Sequence, residues 1–94
     1  MKIVALCGAG VGTSAILKVN AERALERLDI DADVTATDVA GVRSVAFDAQ
    51  VILTSSELVD AIGKTNADVI VVDNYFDVDE LTAKLEVALG SQPR

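Results

Sequence analysis

Lys2-Ile3-Val4-Ala5-Leu6-Cys7-Gly8-Ala9-Gly10-Val11-Gly12-Thr13-Ser14 is the stretch that decides the fold. Its opening residues form a short, β-branched apolar run halted by Cys7-Gly8, the pattern of a strand buried on both faces. Glycines then alternate at 8, 10 and 12. From Ser14 the period becomes helical: Leu17, Ala21, Ala24, Leu25 and Leu28 fall on one face, and Lys18, Glu22, Arg23, Glu26 and Arg27 on the other. The helix should end near Asp29. A buried strand, a glycine-rich turn and an amphipathic helix make the first half of a βαβ unit.

The same alternation continues to the end of the chain. Asp33 to Asp38 reads as an edge strand, with Val34 and Ala36 pointing one way and Thr35 and Thr37 the other. Gly41 to Asp48 holds a short helix with Val42, Val45 and Ala46 on one side. Gln50 to Thr54 is a third strand, and Ser55 or Ser56 caps a short helix carrying Leu58, Val59 and Ile62 that Gly63 terminates. Ala67 to Val72 is the fourth strand. Asp77 and Glu80 form a capping-box-like start to a last helix striped by Leu81, Leu85, Ala88 and Leu89, with a Glu80–Lys84 pair and an end at Gly90.

Strands alternating with helices predict an α/β domain of three layers, flavodoxin-like or Rossmann-like, around a four-stranded parallel sheet. Right-handed crossovers favour the strand order 2-1-3-4. Residues 1–90 are expected to form this single domain and 91–94 a flexible tail. In such a sheet ligands bind beyond the strand C-termini where the order reverses, here between strands 1 and 3. The loop after strand 1 opens with Cys7. The loop after strand 3 is Thr54-Ser55-Ser56, and Thr54 and Ser55 either line the same site or cap the next helix.

Composition narrows the chemistry. The chain has 94 residues, one cysteine and no histidine, so neither an internal disulfide nor a Ser-His-Asp or Cys-His mechanism is available within it. A net charge of −7 argues against general nucleic-acid binding. No apolar run approaches the length of a membrane span, and a lone thiol suits a reducing compartment, so a cytoplasmic location is expected. The charge is unevenly spread: residues 1–21 contain no acid, only Lys2 and Lys18.

In the glycine-rich stretch, residues 8–14 (Gly8, Ala9, Gly10, Val11, Gly12, Thr13 and Ser14) are the expected anion-binding segment. Alternating glycines let successive N–H groups converge on an anion, and the helix N-terminus adds partial positive charge. The hydroxyls of Thr13 and Ser14 can donate too. Those dipoles would lower the pKa of Cys7 and favour its thiolate as a phosphoryl acceptor. A Walker loop needs lysine where Thr13 stands, and a dinucleotide fingerprint needs glycine there. A cysteine phosphatase needs arginine six residues after the cysteine, again the place of Thr13. Two alternatives stay open: a non-catalytic anion- or nucleotide-binding module, and, less favoured, a phosphatase-like hydrolase.

The stretch from Lys2 to Ser14 resembles the start of IIB components of the bacterial phosphoenolpyruvate-dependent sugar phosphotransferase system, in the ascorbate, galactitol and lactose/cellobiose group. Gly10-Val11-Gly12-Thr13-Ser14 is more similar to the ascorbate/galactitol type. The resemblance implies a small cytosolic enzyme in which Cys7 attacks a phosphohistidine on a IIA partner. The phosphoryl group then passes to a sugar bound by a membrane IIC partner. It implies no cofactor, no metal and no insertion into the membrane by this chain. Sugar recognition in such systems belongs mainly to the membrane partner.

Other polar residues have plainer readings. Asp73, Asp77, Asp79 and Glu80 lack calcium-loop spacing and read as helix caps. Lys18 reads as a solvated lysine. Tyr75 and Phe76 follow strand 4 at the expected working edge, either as core or as part of a docking rim.

Overall fold

A computed structural model describes residues 2–6, 11–63, 65 and 67–90 of the chain. For Val11, Gly12, Thr13, Ser14, Ala46 and Gly90 the description extends to the backbone only. Four parallel strands, β1 (Lys2–Leu6), β2 (Asp33–Thr37), β3 (Val51–Thr54) and β4 (Asp68–Val71), form one sheet in the order β2-β1-β3-β4. This is the predicted 2-1-3-4 order. Ile3, Val4, Ala5 and Leu6 of β1 and Val51, Ile52 and Leu53 of β3 are fully buried, as central parallel strands must be when both faces are covered.

The period of two divides these side chains between two cores. Ile3, Ala5, Val51 and Leu53 meet α1 (Val11–Arg27) and α4 (Val78–Leu85) through Leu17, Ala21, Leu81 and Leu85. Val4, Leu6 and Ile52 meet Val42 of α2 (Val42–Ala46) and Ile62 of α3 (Val59–Ile62) on the other face. The first core carries two long helices, the second two short ones.

Helix boundaries differ from the sequence reading in instructive places. The first helix begins at Val11, three residues before Ser14, so its first turn runs through Gly12 and Thr13. Tertiary packing of Leu17 and Ala21 outweighs the poor helix propensity of that glycine. At its other end Asp29 adopts φ 56°, while Ile30 N–H donates to Leu25 O at 3.0 Å and Asp29 N–H to Glu26 O at 3.1 Å. This is a Schellman ending with aspartate in the position glycine usually takes. A 3-10 turn (Ser56–Leu58) leads into α3, which stops at Gly63, whose φ of 71° and ψ of −149° suit glycine alone. A five-residue π-helical turn (Glu86–Gly90) follows α4.

The start of α4 corrects the capping-box expectation in part. Asp77 caps the helix, its Oδ1 accepting from Asp79 N–H at 3.0 Å and Glu80 N–H at 3.2 Å. Glu80 does not reach back to Asp77. Its carboxylate accepts instead from the N–H groups of Asp73 at 2.8 Å and Asn74 at 3.0 Å.

Candidate functional site

The strand order reverses at the edge of the sheet where β1 ends and α1 begins. Leu6 is the last strand residue and Val11 the first helical one, so four residues, 7–10, join a buried central strand to a helix N-terminus. Cys7, Gly8, Ala9 and Gly10 lie outside the described residues. Val11, Gly12, Thr13 and Ser14 form the first turn of α1 rather than a loop. That placement suits anion binding, because first-turn N–H groups have no carbonyl four residues upstream within the helix. The first turn of α1 contains no acid.

At the neighbouring strand, Ala5 pairs with Leu53, which puts Thr54 level with Leu6 beside the same edge. Thr54 is wholly buried, and among the described residues its hydroxyl makes only a long 3.4 Å contact to Ser55 O. Ser55 is half-buried and occupies the N-cap position of the 3-10 turn in extended conformation. Its side chain makes no capping hydrogen bond. The capping alternative is therefore not realised at Ser55, and its hydroxyl is not committed to the helix.

A third loop, between β4 and α4, closes the edge from the side. Sequence reading left Tyr75 and Phe76 undivided; the structure separates them. Tyr75 packs against the first core, while Phe76 is 67% exposed. The loop is tied down from several directions. Asn20, buried in the middle of α1, donates its side-chain amide to Tyr75 O at 2.8 Å. Asn74 Oδ1 accepts from Phe76 N–H at 3.0 Å. Lys84 Nζ bridges Glu80 at 2.6 Å, Val71 O at 2.6 Å and Asp73 at 3.7 Å.

This network sets its own charge states. Burial pushes the Glu80 carboxyl up, but the Lys84 ammonium and the Asp73 and Asn74 N–H groups outweigh it and hold the group below the usual carboxylate range. The Glu80 hydrogen bond raises Lys84 above the ordinary lysine value against its own desolvation. Glu80 and Lys84 thus stay charged at neutral pH and clamp the loop. Nothing in the sequence near Glu80 distinguishes this role from a capping box; only the position of residues 73–74 in space does.

The opposite edge has different contents. Lys2, Asp33, Thr35, Asp48 and Gln50 line an open depression of about 470 Å³ at the strand N-termini. Lys2 Nζ pairs with Asp48 at 2.7 Å, and this hydrogen bond lowers the Asp48 pKa. Among the described residues no group of three or more Cys, Asp or Glu side chains stands close enough to hold a metal ion. Among those residues, too, no helix is long and apolar enough to cross a membrane.

Known proteins share this layout. The family model described as PTS system, Lactose/Cellobiose specific IIB subunit, matches residues 2–87. A protein of Mycoplasma pneumoniae named Ascorbate-specific PTS system EIIB component is 28% identical over 90 residues, covering 95% of each chain. Among solved structures, the lactose-specific IIB component domain of Streptococcus pneumoniae superposes with a TM-score of 0.62 at 16% identity, over 96% of this chain and 91% of that one. That structural likeness speaks to the fold, including the three layers.

Proposed function

The chain belongs to the lactose/cellobiose-specific IIB family of the sugar phosphotransferase system, which transfers phosphoryl groups in sugar uptake, and within that family we propose that Cys7 is the residue that carries the group. The observation that carries this reading is positional. The chain's single cysteine falls in the four residues between the buried end of β1 and the acid-free first turn of α1, at the point where the strand order reverses.

The transfer runs in two displacements. In the first, the Cys7 thiolate attacks phosphorus on a phosphohistidine of a IIA partner; the S–P bond forms as the N–P bond breaks, and the imidazole leaves with the electron pair. In the second, a hydroxyl of the sugar held by a membrane IIC partner attacks phosphorus. The O–P bond forms, the hydroxyl proton goes to solvent or a nearby base, and the Cys7 thiolate is regenerated. Because such transition states spread charge over the equatorial oxygens, catalysis rests on positioning and on N–H donors. Backbone N–H groups of Gly8 to Ser14 supply those donors, and the hydroxyls of Thr13, Ser14 and Ser55 supplement them. The absence of histidine from the chain fits this division of labour: the phosphohistidine is the partner's.

Incubation with phosphoenolpyruvate and the cognate phosphoryl-donor chain should add a single S-linked phosphoryl group at Cys7, read by intact mass and peptide mapping. An unmodified Cys7, or full labelling of Cys7→Ser, would overturn the assignment. Turnover of a phosphomonoester without any protein partner would point instead to a hydrolase.

A further inference from the structure

We propose that the Glu80–Lys84 ion pair fills the hydrogen-bonding slot of a fifth strand, and so keeps the free edge of β4 from pairing with a second copy of this chain. The inference stands apart from the role given to Cys7. Among the described residues β4 ends the sheet and has one strand neighbour, β3. Asp68 N–H donates to Gln50 O at 2.9 Å and Val72 N–H to Thr54 O at 2.7 Å. Backbone groups alternate in direction along a strand, so those of Val69 and Val71 face away from β3.

Two groups on that outer side are taken by side chains of α4. Lys84 Nζ donates to Val71 O at 2.6 Å, and Asp73 N–H donates to Glu80 Oε2 at 2.8 Å. The same carboxylate oxygen accepts from Lys84 Nζ at 2.6 Å. In a parallel ladder, one residue of the incoming strand gives its N–H to the carbonyl just before a given residue and accepts from the N–H just after it. Val71 O and Asp73 N–H stand in that relation about Val72. The ammonium therefore takes the place of the incoming N–H, and the carboxylate that of the incoming C=O. Their own bond, one helical turn apart on α4, joins them into a single unit.

The two edges of the sheet differ in their need for such a device. On β2, Asp33, Thr35 and Thr37 interrupt the apolar residues. β4 carries Val69-Ile70-Val71, three consecutive β-branched apolar residues, all half-buried. A run of that kind on an open edge is a template for strand pairing. An identical chain is the partner such an edge meets, because two copies related by a two-fold axis present the same unpaired groups to each other. Charge is the usual deterrent at an edge. Here Asp68 and Asp73 flank the run, and Lys84 and Glu80 cover its C-terminal end. An incoming strand must break a charge-assisted bond at each end of the pair.

Hydrogen exchange on the parent chain reads the slot directly. The Asp73 amide should be protected about tenfold or more over those of Val69 and Val71; equal protection of the three overturns the proposal without any variant. Lys84→Met removes the donor and keeps the stem. In sedimentation velocity over a concentration series it should self-associate about tenfold or more tightly than the parent, with the Val69 and Val71 amides gaining protection as concentration rises. Adding Val71→Pro, which deletes an outward N–H at an edge position, should abolish that association. Glu80→Gln separates edge opening from lost stability. It breaks the ion pair, but its amide oxygen still accepts from Asp73 N–H and Lys84 still covers Val71 O, so it should associate no more than the parent. Parent-like sedimentation of Lys84→Met, equal association of Glu80→Gln, or association that persists with Val71→Pro would each sink the guard.

Discussion

Asn20 and Tyr75, 55 residues apart in the chain, are joined by a 2.8 Å hydrogen bond from the Asn20 amide to the Tyr75 carbonyl. The bond connects the helix that opens at the glycine-rich stretch to the loop that closes the same edge of the sheet. Asn20 sits on the buried stripe of α1 between Leu17 and Ala21, where an apolar residue would pack equally well. Its presence is accounted for by the carbonyl it satisfies.

Replacing Asn20 by alanine therefore removes a part-buried hydrogen bond to the Tyr75 carbonyl and should cost about 1 kcal/mol. Urea unfolding would measure the loss. NMR shifts should concentrate in residues 73–77 and leave β3 unmoved; a uniform response across the sheet would refute this linkage.

Glu80 and Lys84 predict a two-sided pH profile. Glu80 has a folded pKa below its unfolded value, so its stabilisation is full above the unfolded value of about 4.3 and fades as pH falls through the lowered folded one. Lys84 has a raised folded pKa, so its stabilisation is full below about 10.4 and fades as pH climbs through the raised value. Glu80→Gln should lower stability at neutral pH by about 1–2 kcal/mol, roughly 5–10 °C in Tm, and flatten the acid limb. An acid limb as steep in the variant as in the parent would exclude Glu80 as its source.

Gly63→Ala tests backbone conformation in isolation. Among the described residues a Cβ there would meet nothing closer than Arg43 Nη2 at 3.8 Å, so these leave room for it. The positive φ alone should cost about 1–3 kcal/mol, seen as a lower midpoint of chemical denaturation at unchanged slope. A neutral result would mean that α3 ends differently in solution.

Ser55→Ala separates a site role from a structural one. With no capping bond to lose, its stability should stay within about 0.5 kcal/mol of the parent. Loading of Cys7 should slow about tenfold, the scale of one lost hydrogen bond of about 1.4 kcal/mol. Slowing matched by a drop in Tm would identify a structural serine instead.

Much of this molecule is legible locally. The run Ile3 to Leu6, the stripe Leu17-Ala21-Ala24 and the cap at Asp77 announce themselves because periodicity and capping act over a few residues. The order of the strands follows from the handedness of the connections, and with it the edge at which β1 ends. Other outcomes depend on residues far apart in the chain. Tyr75 turns inward and Phe76 outward in a loop that Asn20 ties to α1, and whether α1 starts at Val11 or Ser14 is decided by packing on the sheet. Glu80 had a legitimate local partner at Asp77, yet it bonds to Asp73 and Asn74 because folding brings two N–H groups and Lys84 together around it. The sequence by itself determined the layers, the strand order and the end of the first strand at Leu6, since these rest on short-range patterns and chirality. Only the tertiary structure decided which polar groups brace the working edge and which aromatic it exposes, since those choices belong to contacts that do not exist until the chain has folded.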